Sequence, residues 1–386
     1  MNSSTLRKAF RCSDCAVRIA GRRVVIPLRS FSNSSIRRKH GAVPKFTEVS
    51  STELQDLLTK VRERVFLPAH LSQEQRDLIF NPRKIQNLEG ESAKATIAGE
   101  DFILKPLDIT KNVPGRASSL RRAILLMTET RDWNNLPNLL QGLKTVGLDI
   151  KKKNKRYRNS DSAEYVVHQA GKSGQQAILL ECLRRADETG LTLDNQFLVM
   201  QVFFWMQQKA MRSDWEAGST KTALLWAELI KDLMQDPKHQ LPVGSKPLHN
   251  LHEVNGILLE LAAVRAVKHL DGKDVDGKVE KHARKLLESP RDLEARREPD
   301  TDDDKRQNIF LNFWLSNNAM VAHGIKLAQT VLGPSSELSA GLKQMHGSLE
   351  PLLSKAREEL SATLSKRGEV KTGVRIHDEL LGPKAL

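Results

Sequence analysis

Residues 194–211 read DNQFLVMQVFFWMQQKAM, and this stretch decides the fold. Between Phe197 and Met206 nearly every position is apolar: Phe197, Leu198, Val199, Met200, Val202, Phe203, Phe204, Trp205 and Met206. A helix with almost no polar face has to be covered by neighbours on several sides. The segment is therefore predicted to be the centre of a helical protein, with Asp194 as its N-cap.

Working outward, the same 3.6-residue spacing recurs on both sides. Leu120, Ala123, Ile124 and Met127 form one stripe, and Leu136, Leu139, Leu140, Leu143 and Val146 form a second that Gly147 can close as a C-cap. Asp161 or Ser162 can cap a helix running to His168, and Ile178, Leu179, Cys182, Leu183 and Ala186 stripe a helix ending at Gly190. Beyond residue 211, helices are predicted over 222–234, 253–270, 275–287, 309–332 and 337–364. Upstream, Ser50–Phe66 and Leu71–Phe80 read as helices. Residues 81–115, punctuated by Pro and Gly, read as extended chain lying on a surface.

The fold class that follows is all-α, stacked helical hairpins in an α-solenoid-like array with an irregular N-terminal arm. The boundaries are a leader at 1–31, extending up to about 39; an arm with short helices at 40–116; a helical-repeat region at 117–236; a C-terminal helical region at 247–365; and a tail at 366–386. No run reaches the ~18 apolar residues that cross a bilayer. The nearest candidate, Ile309–Leu332, is interrupted by Asn312, Asn317, Asn318, His323 and Lys326.

The leader is informative in its own right. Residues 1–31 hold seven basic side chains against one acidic one, Asp14, and end in Arg29-Ser30-Phe31 before Ser32. Arg- and Ser-rich, acid-poor segments of this kind are mitochondrial import signals, so the expected compartment is the mitochondrial matrix. Removing them leaves 54 basic and 46 acidic residues, a net charge of +8 in place of +14. Cys12 and Cys15 go with the leader, so Cys182 remains alone and no disulfide framework is expected.

Most of the remaining basic excess sits in one place. Lys151, Lys152, Lys153, Lys155, Arg156 and Arg158 put six positive charges around Asn154 and Tyr157, between two predicted helices. Such a cluster neutralises phosphates without reading sequence, and Tyr157 can stack on a base. The competing reading is a solvated loop. Because the other residues of the mature chain sum to only +2, the concentration favours RNA contact through Lys151, Lys152, Lys153, Lys155, Arg156, Tyr157 and Arg158.

Residues 159–193, NSDSAEYVVHQAGKSGQQAILLECLRRADETGLTL, form one thirty-five-residue helical pair, and Leu139–Asp149 looks like the end of an earlier one. Over residues 118–211 the chain resembles the divergent pentatricopeptide-like helical-repeat proteins of fungal mitochondrial gene expression. That resemblance implies single-stranded RNA held along a helical array, or a scaffold role on the mitochondrial ribosome. It assigns no base-reading residues, since the glycines at 147 and 190 are forty-three residues apart.

Other motifs fit enzyme or metal chemistry poorly. Gly171-Lys172-Ser173 has Val166 where a phosphate loop needs a glycine. His249, His252 and Glu253 do not match the zinc-protease spacing, and Asp300–Asp304 lacks the glycine and closing glutamate of a calcium loop. Trp133 and Trp215, flanked by polar residues, read as the exposed tryptophans. The expectation is a non-catalytic matrix protein without cofactor or metal, whose partners are mitochondrial RNA and/or the mitochondrial ribosome, with a protein partner for residues 40–116. The alternative is a protein-only assembly or scaffold factor for a respiratory-chain complex.

Overall fold

The structure, a computed structural model, describes residues 41–84, 93–152, 161–240, 245, 247–290, 304–363 and 371–382. The expected leader lies outside these residues. An extended strip leads into α1 (Thr52–Val61), where the Ser51 hydroxyl accepts from the Leu54 N–H at 3.3 Å as N-cap. A π-helical turn, Arg62–Phe66, joins α1 to α2 (Leu67–His70), and Ser72 with Gln75 forms a capping box on α3 (Gln73–Phe80).

β1 (Lys94–Ile97) and β2 (Glu100–Ile103) then pair as an antiparallel hairpin, the one sheet among the described residues. Its turn holds Ala98 at φ 50° and Gly99 at φ 84°, the left-handed pair that matches the twist of two-residue hairpins. The sequence reading has only extended chain here. Each strand is four residues long, and the alternation that buries Ala95 and Phe102 is too brief to stand out.

The helical body follows as α4 (Arg116–Leu126), α5 (Thr130–Trp133), α6 (Leu136–Thr145), α7 (Ser162–Lys172), α8 (Gln176–Arg184), α9 (Ala186–Thr189), α10 (Gln196–Met211) and α11 (Ala217–Leu233). It continues through α12 (His252–His269), α13 (Lys278–Glu288), α14 (Asp304–Leu332), α15 (Glu337–Ala362) and α16 (Thr372–Leu381). The chain is all-α in class. Both predicted stripes face the core, with Leu120, Ala123, Ile124, Met127, Leu136, Leu139, Leu140 and Leu143 buried. Gly147 and Gly190 close their helices at φ 82° and φ 77°.

The N-terminal layer is pinned to this body by polar side chains as well as by packing. Buried Asp132 accepts from the Ser50 N–H and hydroxyl, both at 2.7 Å, and from the N–H groups of Thr128 and Glu129, both at 3.0 Å. Burial alone would raise this carboxyl; the four donors overcome that and hold it at about 2. Asn135 accepts from the Thr47 N–H at 2.7 Å. Phe66 packs against Gly142, where a Cβ would come within 2.2 Å of the ring.

α10 is buried as expected, yet the helix most completely enclosed is α12, in which every residue from His252 to Val264 is buried. It packs against α14 at two glycines. A Cβ on Gly256 would come within 2.5 Å of Val321, and one on Gly324 within 2.8 Å of the Glu260 backbone. Between these contacts Glu260 accepts from His323 Nδ1 at 2.7 Å and from Gln207 Nε2 of α10 at 3.3 Å. Burial pushes the Glu260 carboxyl up, and these two partners oppose the shift. Contacts also extend past sequence neighbours, since α12 touches α10, α11, α13 and α14 together. Among the described residues no helix is long and apolar enough to cross a membrane.

Candidate nucleic-acid interface

The basic loop is built on a fixed base. α6 ends where Gly147 turns left-handed and the Leu148 N–H returns to the Leu143 carbonyl at 2.9 Å. Ile150 follows, 2 % exposed. Its carbonyl accepts from the N–H groups of Ser162 at 2.8 Å and Ala163 at 3.0 Å, so the described residues on either side of the loop are joined at one point. Asp161 caps α7 by accepting from the Glu164 N–H at 2.7 Å, which decides between the two candidates, Asp161 and Ser162, that the sequence offers.

Lys151 and Lys152 stand exposed on this base, while Lys153, Lys155, Arg156, Tyr157 and Arg158 lie outside the described residues. The Lys151 ammonium meets Asp194 Oδ2 at 2.7 Å. This changes the role of Asp194, which was expected to cap α10. Asn195 is the cap instead, accepting from the Leu198 N–H at 3.0 Å, because its position places the side-chain oxygen over the first turn. Nearby, Lys144 donates to the Ala186 carbonyl at 3.3 Å and to that of Asp187 at 2.5 Å, and Lys238 pairs with Asp187 at 3.1 Å. Surface pairs like these contribute at most about 1 kcal/mol each. Lys151 can exchange its carboxylate for a phosphate at little cost.

The remaining motifs resolve into structural roles. Gly171 ends α7 beneath Trp205, where a Cβ would come within 2.1 Å of the indole, and Gly174 makes the turn at φ 74°. The amides that would cradle a phosphate are already engaged, Ser173 with Gln169, Gly174 with Gly171 and Gln175 with Ala170. His252 Nε2 faces Asn318 Oδ1 at 2.9 Å inside the core, while His249 sits half-buried in a separate turn. Among the described residues no group of three or more His, Cys, Asp or Glu could hold a metal ion. The side chains of Asp300–Asp304 lie outside those residues. Burial pushes the Cys182 thiol well above its usual range, which leaves it unreactive.

Two tryptophans correct the sequence reading, since Trp133 and Trp215 are 1 % and 5 % exposed. Asp214 and Trp215 both take left-handed backbone, at φ 52° and φ 59°. That turn leaves Asp214 and Glu216 in solvent and returns the indole to the His323 ring, 6.0 Å between centroids. At Trp133 the capping box between Glu129 and Asp132 rolls the short α5 inward. Neither ring is available to stack on a base.

A family model described as mitochondrial ribosomal protein mS27 matches residues 29–378. The small ribosomal subunit protein mS27 of Neurospora crassa is 29% identical over 251 residues, covering 62% of this chain and 61% of that relative. The chain thus aligns with about three fifths of the relative's length. With the match running from the expected leader boundary almost to the C-terminus, the chain belongs to the mitochondrial ribosomal protein mS27 family.

Proposed function

We propose that the chain is a non-catalytic subunit of the small subunit of the mitochondrial ribosome. It works in the matrix, and its basic loop at 151–158 rests on RNA phosphates. The family match across residues 29–378 carries this reading. It begins close to residue 31, where the leader is expected to be cut. The loop supports the RNA contact because its base is clamped through the Ile150 carbonyl, so a dense charge is presented from a fixed platform. In the finer version, α7 and α8 act as a pentatricopeptide-like pair whose outer surface follows the RNA. The layer at 41–116 then meets a neighbouring ribosomal protein.

The test is charge reversal of Lys151, Lys152, Lys153, Lys155, Arg156 and Arg158 in the full chain, with RNA affinity measured over a range of salt. Affinity should fall by orders of magnitude at low salt, and the salt dependence should flatten by about five in slope. Unchanged affinity and slope would remove the loop from the function and favour a protein-only scaffold.

A further inference from the structure

The hairpin of the N-terminal layer has two outer edges, and they are not alike. The Leu104 N–H donates to the Ala93 carbonyl at 2.8 Å, and the register Lys94↔Ile103, Ala95↔Phe102 runs back from there to the turn. Antiparallel pairs alternate between bonded and unbonded positions, so Phe102 exchanges bonds with Ala95 while Asp101 and Ile103 turn their N–H and carbonyl groups away from β1. Among the described residues these outward groups have no partner. The same holds for Lys94 and Thr96 on the far side of β1.

What separates the two edges is the surface beside them. A groove of about 400 Å³ runs along β2 and the chain that follows it, facing the π-helical turn, and no β1 residue lines it. Leu67, Ile79, Leu104 and Leu107 give it an apolar lining. Its wall is fixed, because the Leu107 N–H donates to the Ile79 carbonyl at 2.8 Å and Arg64 to that of Asn112 at 3.2 Å. Ile103, 59 % exposed, stands at the rim, and Ile109, 63 % exposed, lies further along the same segment. Sheets commonly guard an open edge with charge. β1 has Lys94 at this level; β2 offers an isoleucine.

The charges along the groove disfavour nucleic acid. Arg62 is taken by Glu100 at 2.7 Å, and Glu63, Arg64 and Lys105 bring both signs to one opening. A phosphate backbone would meet Glu63, Glu100 and Asp101 here. Donors and acceptors repeating every second residue, roughly 7 Å apart, match an extended peptide instead.

We propose that the outer edge of β2 receives an extended segment of a neighbouring protein as a third strand, which bonds the backbone of Asp101 and Ile103 and sets alternate apolar side chains into the groove. The inference rests on the reading of the chain as a ribosomal subunit whose N-terminal layer meets a protein. An added strand repeats the pleat of β2, on which Phe102 and Leu104 face the body and Ile103 faces solvent. Every second residue of the newcomer therefore descends into the groove.

The test compares amide hydrogen exchange, residue by residue, in the free full-length chain and in purified mitochondrial small ribosomal subunits. The Asp101 and Ile103 amides should exchange at least about tenfold more slowly in the subunit, with Lys94 and Thr96 unchanged. Ile103→Pro removes one outward donor and spares the hairpin's own bonds; Lys94→Pro does the same on the other edge. Ile103→Pro should lower the share of chain sedimenting with the small subunit at least about threefold, whereas Lys94→Pro and Ile103→Val should not. Equal exchange of Asp101 and Ile103 in both settings overturns the strand. So does protection of both edges alike, the mark of a covering RNA or protein surface, and so does an Ile103→Pro chain that sediments like the parent. The exchange comparison needs no variant, so a proline that unfolded the hairpin would not spare the proposal. A parent chain absent from the small subunit overturns the ribosomal reading itself, and this inference falls with it.

Discussion

Helices α10 and α12 are both shut away from water, and they reach that state through different chemistry. α10 is apolar around its circumference, so covering it releases water from every side, at roughly 2 kcal/mol for each large side chain enclosed. α12 carries His252, Glu253, Asn255 and Glu260 in its buried stretch. It tolerates His252 and Glu260 because α14 comes close enough, over Gly256 and Gly324, to supply Asn318 and His323 as partners, while Asn255 meets Lys231 and Ser289. Apolar burial needs any neighbour of suitable size. Polar burial needs one particular neighbour in one register.

The largest effect should come from the glycines that set this register. Gly324→Val places its side chain against the Glu260 backbone, which has no room to yield, and should cost more than about 4 kcal/mol or abolish soluble expression. Thermal unfolding that matched the parent would show that α12 and α14 are not held at this distance.

Next is the buried pair. His323→Leu alone should destabilise by about 3 kcal/mol in urea unfolding, because it leaves Glu260 buried with only Gln207 as partner. Glu260→Met combined with His323→Leu should recover most of that loss. A double variant as unstable as the single would mean that packing, and not charge satisfaction, governs α12.

Asp132 extends the comparison to the N-terminal layer, where backbone donors replace a partner helix. Its carboxyl lies near 2 when folded, below the ordinary 3.8, so its stabilising contribution is complete above about pH 4 and disappears as pH falls towards 2. Asp132→Asn should cost about 2 kcal/mol at neutral pH and should flatten the acid limb of stability. A parent and variant with parallel acid limbs would contradict this assignment.

On the apolar side, Phe203→Leu in α10 should cost only about 1 kcal/mol, since one hydrophobe replaces another. The smallest test separates two neighbours at the start of the same helix. Asn195→Ala should cost about 1 kcal/mol and Asp194→Ala less than about 0.5 kcal/mol, and the reverse order would restore Asp194 as the cap.

The same contrast explains how much the sequence disclosed. α10, the leucine stripes of α4 and α6, the Asp161 cap and the glycines at 147 and 190 are local patterns, and their physics acts within a few residues. The burial of α12 is not local, because Glu260 reads as a wet face until His323, sixty-three positions later, is known to meet it. Trp133 and Trp215 were misplaced for a related reason. Polar neighbours in sequence suggest exposure, but at Trp215 a left-handed turn leaves those neighbours outside and sends the ring inward, and at Trp133 the neighbouring Asp132 and Asn135 are themselves buried. α16 offers only Val374, Ile376 and Leu380, a stripe too short to distinguish from a tail without α14 beside it. In the candidate interface the loop was legible as a run of charge.

Sedimentation of a mitochondrial lysate through a sucrose gradient, with and without ribonuclease, tests the central claim most directly. The account predicts that the endogenous protein travels with the small ribosomal subunit and leaves that position when the RNA is digested. A light position unaffected by ribonuclease would contradict it, and would make the chain a protein-bound scaffold whose basic loop is solvated surface.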